Sequence, residues 1–250
     1  PTDKDNVFVS FKWTDVEHMM YYETFRLMWD REWENGLRFT ARLQHETNEG
    51  TAALFYQPLS TGATPSADVT THLKNIKTAD LKVNLTYQPG VTWINTKQRR
   101  IAANNDAPVF SLSHTAGFKG LFGSDFDYHF TEASVYKRFW LASWGRIDTQ
   151  IKGGIQWNKV PHPVLIMPAA NLSYIIEDHT FNLINNMEFL NDRYASLMMS
   201  WDMNGKIFNR IPLIKKLKWR EYIGCNVLWG TLTDKNNPFR FNDTERYPDE

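Results

Sequence analysis

The residues most able to do chemistry are seven histidines, one cysteine and the acidic side chains. His162, His179 and the pair Glu177-Asp178 lie close together, and imidazole with carboxylate is a metal-ligand set. A chelating helix face needs histidines four apart, and neither H-x-x-x-H nor H-E-x-x-H occurs. His18, His45, His72, His114 and His129 are scattered singly and read as ordinary polar residues. No metal or other cofactor is expected. Gly-x-Ser-x-Gly is absent, so the chain lacks a nucleophile elbow. Cys225 alternates with Ile223, Val227 and Trp229 on an apolar strand face, where a thiol is inert. Asp30, Glu32, Glu34 and Asp148 have the chemistry for an acid–base pair. Ion pairing with Arg26, Arg38, Arg42 and Arg146 is the plainer expectation, so no enzyme is expected. Gly153-Gly154 and Gly120-x-x-Gly123 precede no helix that could hold an anion, and glycine in a strand marks a bend or a close approach. One cluster is denser: Lys206, Arg210, Lys215, Lys216, Lys218 and Arg220. It reads either as a solvated loop or as a contact for lipid phosphates or an anionic surface glycan such as lipopolysaccharide.

These side chains must be positioned by strands. Gly145 to Trp157 alternates for thirteen residues: Ile147, Thr149, Ile151 and Ile155 against Arg146, Asp148, Gln150 and Lys152. A period of two marks a strand with one apolar and one polar face. Ordinary strands run about five or six residues, whereas a tilted strand of about ten crosses a bilayer. The pattern recurs at Val7–Trp13, Tyr21–Trp33, Leu37–Gln44, Leu81–Tyr87, Phe110–His114, Phe126–Phe139, Phe181–Leu190, Ala195–Met203 and Ile223–Trp229. About ten antiparallel strands are therefore predicted. Asn35-Gly36 between two such runs is a strong hairpin signal. Tyr21–Glu34 can also be drawn as a helix face, but the Asn-Gly turn favours the hairpin. Short connections are predicted at Glu34–Gly36, Leu141–Ala142 and Asn191–Asp192, and long ones at Thr47–Thr78 and Asn158–Asp178. Strand parity puts the three short turns at one end, as in outer-membrane barrels. It also puts the long Gln88–Ala107 at that end, which suggests a missed hairpin there, and Asn204–Leu217 at the outer end.

Composition narrows the function classes. Lys plus Arg and Asp plus Glu are both 28, so the net charge is zero and no nucleic-acid partner is implied. One cysteine excludes an intramolecular disulfide framework and a multi-cysteine zinc site. A chain that is 42% hydrophobic and uncharged overall is not expected to be disordered. The uncharged run Val160–Ile176 carries Pro161, Pro163 and Pro168 and is too short and too broken for a spanning helix. A negative mean hydropathy does not exclude a barrel, because half of each strand faces a polar lumen.

The expectation is an all-β fold: an antiparallel transmembrane β-barrel, one unit over residues 1–250. The first residue is Pro1, no signal peptide is present, and the chain ends in the polar run Asn242–Glu250, so it is read as a fragment of a larger barrel. Arg26, Asp30, Glu32, Arg38, Arg42, Arg146, Asp148 and Lys152 are the candidate lumen charges. Trp13, Trp93, Trp140, Trp144, Trp157 and Trp219 are the candidate aromatic girdle, with Tyr87, Tyr174 and Tyr194 also at strand ends. The rival reading is a soluble or surface-attached β-sandwich that binds carbohydrate through its 10 Trp residues.

Three segments carry a resemblance: Glu32–Gly50 (EWENGLRFTARLQHETNEG), Pro108–Phe126 (PVFSLSHTAGFKGLFGSDF) and Asn209–Glu221 (NRIPLIKKLKWRE). They resemble an uncharacterised family of Bacteroidetes outer-membrane barrels that carry an N-terminal carboxypeptidase-regulatory-like domain. The similarity runs from about Val7 to Asn237. It implies a domain of unknown function in a Gram-negative outer membrane, with a role in envelope biogenesis or transport. Its partners would be outer-membrane lipid, lipopolysaccharide or another envelope protein. Arg210-Ile211-Pro212-Leu213 with Lys218–Thr231 is also distantly similar to a Phe-Pro-Leu stretch and the following strand of BamA/TamA surface-antigen barrels. That likeness puts Pro212 at the periplasmic end, opposite to the parity argument. The Arg-Gly-Tyr/Phe lumen motif of those barrels has no counterpart here. An open sheet exposes its edges in lipid, so further strands or another chain would have to complete the barrel.

Overall fold

Alternating runs bounded by turn residues become one antiparallel meander. The computed structural model describes residues 20–50, 75–97, 100–104, 106–160, 164–171, 180–184 and 188–237. Its strands are β1 (Met20–Glu32), β2 (Leu37–Gly50), β3 (Asn75–Tyr87), β4 (Trp93–Asn95), β5 (Arg100–Ala102), β6 (Val109–Gly117), β7 (Tyr128–Trp140), β8 (Arg146–Gln156), β9 (Arg193–Asp202) and β10 (Tyr222–Thr231). Eight pair in the order β1-β2-β3-β6-β7-β8-β9-β10, and β4 pairs with β5 in a separate two-stranded sheet. The fold is all-β. Among the described residues the large sheet is open, with β1 and β10 each paired on one side.

Register decides which residues share a face. Phe39, Leu85, Leu112, Ala133, Gly153, Ala195 and Trp229 oppose one another in sequence across seven strands. The next such row is Leu37, Tyr87, Phe110, Val135, Ile151, Leu197 and Val227. This face is uncovered: Leu112, Ile151 and Val227 are 53%, 54% and 51% exposed. The opposite face carries the rows Arg42, Lys82, Thr115, Phe130, Gln156 and Arg38, Thr86, Ser111, Ser134, Lys152, Ser196. It is covered in part, at the end with the long connections. Val164–Ala170 lies over it, held by Ile166 and Asn191 through reciprocal 2.9 Å backbone hydrogen bonds. Leu165 and Val160 pack with Tyr128 into a small apolar cluster. A water-soluble sheet hides its apolar side chains. Here the exposed face is apolar and the covered face is polar.

The Asn-Gly signal holds, with a wider loop. The turn spans Trp33–Gly36: Trp33 N–H donates to Leu37 O at 2.8 Å, and Asn35 Oδ1 accepts from Leu37 N at 3.1 Å. Gly36 has φ +83°, and a Cβ there would meet Gln88 O at 2.2 Å, so both the turn and the neighbouring chain require glycine.

Several expectations are corrected. The described residues of Phe181–Leu190 form no strand. Phe181 forms an isolated bridge with Ala170, and Leu183 is 99% exposed. The Asn191–Asp192 segment is therefore no hairpin turn. It belongs to the long connection between β8 and β9. Removing that strand reverses the parity of β9 and β10, so Asn204–Leu217 lies at the same end as Gly36 and Gly145. The suspected hairpin within Gln88–Ala107 is β4–β5, which leaves parity unchanged because it stands outside the large sheet. Val7–Trp13 falls outside the described residues.

Candidate functional site

The polar face is built by strand alternation, and two glycines let its tyrosines lie flat. Gly117 opposes Tyr128, and a Cβ on Gly117 would sit 2.2 Å from that ring. Tyr128 thereby reaches across to Asp80 Oδ2, donating at 2.9 Å. Gly154 opposes Tyr194, and a Cβ there would meet Tyr194 at 2.6 Å and Phe130 at 2.9 Å. Tyr194 donates to Glu132 Oε2 at 2.6 Å, and Lys152 Nζ stands 3.7 Å from Glu132 Oε1. Glu46 accepts from Gln44 at 2.7 Å, from Asn48 at 3.1 Å and from Thr24 at 3.2 Å. Between this floor and the Val164–Ala169 cover is a cavity of about 530 Å³. Arg42, Lys82, Asp80, Glu132, Lys152 and Gln156 line its polar side, and Leu165, Ile166 and Pro168 line its apolar side.

All eight predicted lumen charges share this face, but they form separate groups. Arg42 and Lys152 line the cavity. Arg26 Nε donates to Gln44 Oε1 at 3.2 Å. Arg38 grips Asp30 with both Nε and Nη2, at 2.9 and 2.5 Å, and Thr40 adds a bond at 2.8 Å. Glu32 opposes Arg38 in register. Arg138 grips Asp148 at 2.5 and 3.0 Å, Tyr136 donates to it at 2.9 Å, and Arg146 lies 3.6 Å away. Carboxylates gripped this way are committed to ion pairs and hydrogen bonds, which suits ion pairing rather than proton transfer. Asp80, Lys82, Tyr128, Glu132, Arg138, Gln156 and Tyr194 were not singled out from sequence. Alternation alone puts Asp80, Lys82, Glu132 and Arg138 on this face, while Tyr194 reads from sequence as a strand-end girdle residue.

The tryptophans predicted for a girdle do not share one face. Trp157, on the apolar face, donates to Thr131 Oγ1 at 2.9 Å beside the stacked pair His114–His129, at the end with the long connections. Trp144 packs on Trp201 at the short-turn end, their ring centroids 6.3 Å apart, and Trp201 Nε1 donates to Trp144 O at 2.9 Å. Trp219 is exposed at that same end. Trp140 is on the polar face beneath Arg138, 5.9 Å from its guanidinium, because its even position follows that of Arg138. Trp93 belongs to the small β4–β5 sheet, stacked under Arg100 at 5.1 Å. Trp13 lies outside the described residues. Trp29, Trp201 and Trp229, outside the predicted girdle set, sit on the apolar face.

The basic cluster falls in the β9–β10 connection. Pro212–Leu217 forms a short helix with Pro at its first turn, where a missing N–H costs nothing. Leu213 and Leu217, four apart, share a helix side, and both are exposed, as is Trp219. Arg210, Lys215, Lys216, Lys218 and Arg220 are also exposed. Lys206 is tied down instead, donating to Ser143 Oγ at 2.9 Å and lying 5.5 Å from the Trp144 ring. The loop base is pinned by Glu221, whose carboxylate accepts from Phe208 N–H.

Cys225 opposes Met199 on the apolar face, exposed as expected. No group of three potential metal ligands occurs among the described residues. His162, Glu177, Asp178 and His179 fall outside them.

No curated protein and no solved structure matches the chain. The C-terminal-domain model of a family of unknown function, DUF5686, matches residues 13–239. Covering most of the chain, that match makes this protein a member of the DUF5686 family through its C-terminal domain.

Proposed function

We propose that this domain is part of a transmembrane β-barrel in a Gram-negative outer membrane, serving envelope biogenesis or transport rather than catalysis. One observation carries the reading: the meander leaves its apolar face exposed and sets its one cover, Val164–Ala170, over the polar face. Lipid rewards that arrangement and water penalises it. A carbohydrate-binding β-sandwich would need a second sheet on the apolar face, and none covers it among the described residues. Trp157 at one end and Trp144, Trp201 and Trp219 at the other suit the two interfaces of a bilayer. The likeness to Bacteroidetes barrels and, more distantly, to surface-antigen barrels points the same way.

Fractionation of the full-length native protein, with brominated lipid as tryptophan quencher, tests the reading. Strong quenching in the outer-membrane fraction is expected. A water-soluble protein with unquenched tryptophans would sink it and promote the sandwich.

Short turns face the periplasm in outer-membrane barrels. On that rule the basic loop meets inner-leaflet phospholipid, while lipopolysaccharide meets the other rim. Reversing Lys215 and Lys216 to Glu should reduce anionic phospholipid retained by the detergent-purified protein. A contribution of about 1 kcal/mol per cation puts the loss at roughly tenfold or more. Lipopolysaccharide retention should not change. Phospholipid retention equal to wild type would rule the contact out.

A further inference from the structure

We propose that the cavity beneath Val164–Ala169 binds a small organic anion, its phosphate or carboxylate held by Arg42 and Lys82. The cavity holds a surplus of uncommitted donors. Arg42 and Lys82 are direct cross-strand partners. Like charges in that position repel. Neither makes a hydrogen bond or ion pair with another described residue, and Arg42 Nε is buried without a partner. Gln156 Nε2 and Asn191 Nδ2, buried in the same cavity, are also without partners.

The acids that face the cavity are spoken for. Glu46 takes three neutral donors, and Glu132 takes Tyr194 and Lys152. Asp80 takes Tyr128 and keeps Oδ1 free as the one orphaned acceptor. Among the described residues, four uncommitted donors against one acceptor favour a ligand rich in acceptors and negatively charged. Buried polar groups left unpaired are costly, and two apposed cations more so, so a sheet that keeps them is suited to a ligand that satisfies them. The apolar wall of Leu165, Ile166 and Pro168 gives such an anion a place for a short hydrocarbon body. Such a site is independent of what the sheet's other face meets.

Thermal shift and calorimetry of the purified full-length protein with hexyl phosphate, inorganic phosphate and hexanol test it. Hexyl phosphate should bind and raise Tm, and hexanol should not. Inorganic phosphate binding as tightly would support the anion site and identify a free ion as its ligand. Weaker binding of inorganic phosphate would support an amphiphile with an anionic head. Lys82→Gln and Arg42→Gln should each weaken hexyl phosphate binding by roughly tenfold or more, as loss of a charge-assisted contact requires. Lys82→Gln also removes the apposed charge, so its Tm without ligand should hold or rise. Three results would overturn the proposal: no binding of either phosphate, equal binding by the variants, or a lower ligand-free Tm in Lys82→Gln.

Discussion

Leu112→Arg should destabilise the full-length protein in lipid by about 2–4 kcal/mol, the cost of a cation at the bilayer midplane of a barrel. Leu112 sits mid-strand in β6 on the apolar face, between Leu85 and Ala133. At 53% exposure it gives up little packing when replaced, so the solvent it meets decides the outcome. In water an exposed substitution away from special features stays within about 0.5 kcal/mol. Urea unfolding of the protein reconstituted in vesicles reads the difference. A loss under that half-kilocalorie, with normal assembly, would mean that this face meets water, and the barrel reading would fail.

Asp192→Ala is the second large effect, expected at about 2–4 kcal/mol, because a fully buried carboxylate is removed and its donors are orphaned. Asp192 is 0% exposed where four elements meet. Its carboxylate accepts from Thr233 Oγ1 and, at 3.0 Å, from Asn236 Nδ2. Asn236 in turn accepts from Val160 N at 3.0 Å, which anchors the segment leading to the cover. Burial works to raise the Asp192 carboxyl. The Thr233 and Asn236 hydrogen bonds, with Lys235 nearby, outweigh it and hold the group below its ordinary value. A depressed folded-state pKa means that the stabilisation is complete above the unfolded value of about 3.9 and is lost as pH falls through the lower folded value. The gap in unfolding free energy between wild type and Asp192→Ala should therefore be full at pH 7 and narrow below about pH 4. A gap that stays constant through that range would show that the charge contributes nothing and that the loss is one of packing alone.

Much of the architecture was legible because strand alternation is local. Leu37–Gln44, Leu81–Tyr87 and Gly145–Trp157 each declare two faces within a few residues, and the structure places them on β2, β3 and β8. Phe181–Leu190 misled because a mixed apolar run is ambiguous at that length. Its error propagated, since dropping one strand moves the Lys215–Lys216 loop to the opposite end of the sheet. Trp140 and Tyr194 misled for another reason. An aromatic ring near a strand end looks like a girdle residue whichever way it points, and only register puts both on the polar face.

By itself the sequence determined the all-β class, the long strands, the division into an apolar and a charged face, and the absence of a recognisable catalytic motif. These follow from period-two alternation and residue type, which need no partner strand to be read. Tertiary structure alone decided which charges meet. Arg138 rather than Arg146 grips Asp148, Tyr128 crosses Gly117 to Asp80, and Arg42 is set against Lys82. It also decided that Val164–Ala169 lies over part of the polar face and roofs a cavity there. Such pairings join distant residues: Tyr128 and Asp80 are 48 positions apart, Tyr194 and Glu132 62. They depend on strand register and on the path of one long connection, which no local pattern encodes.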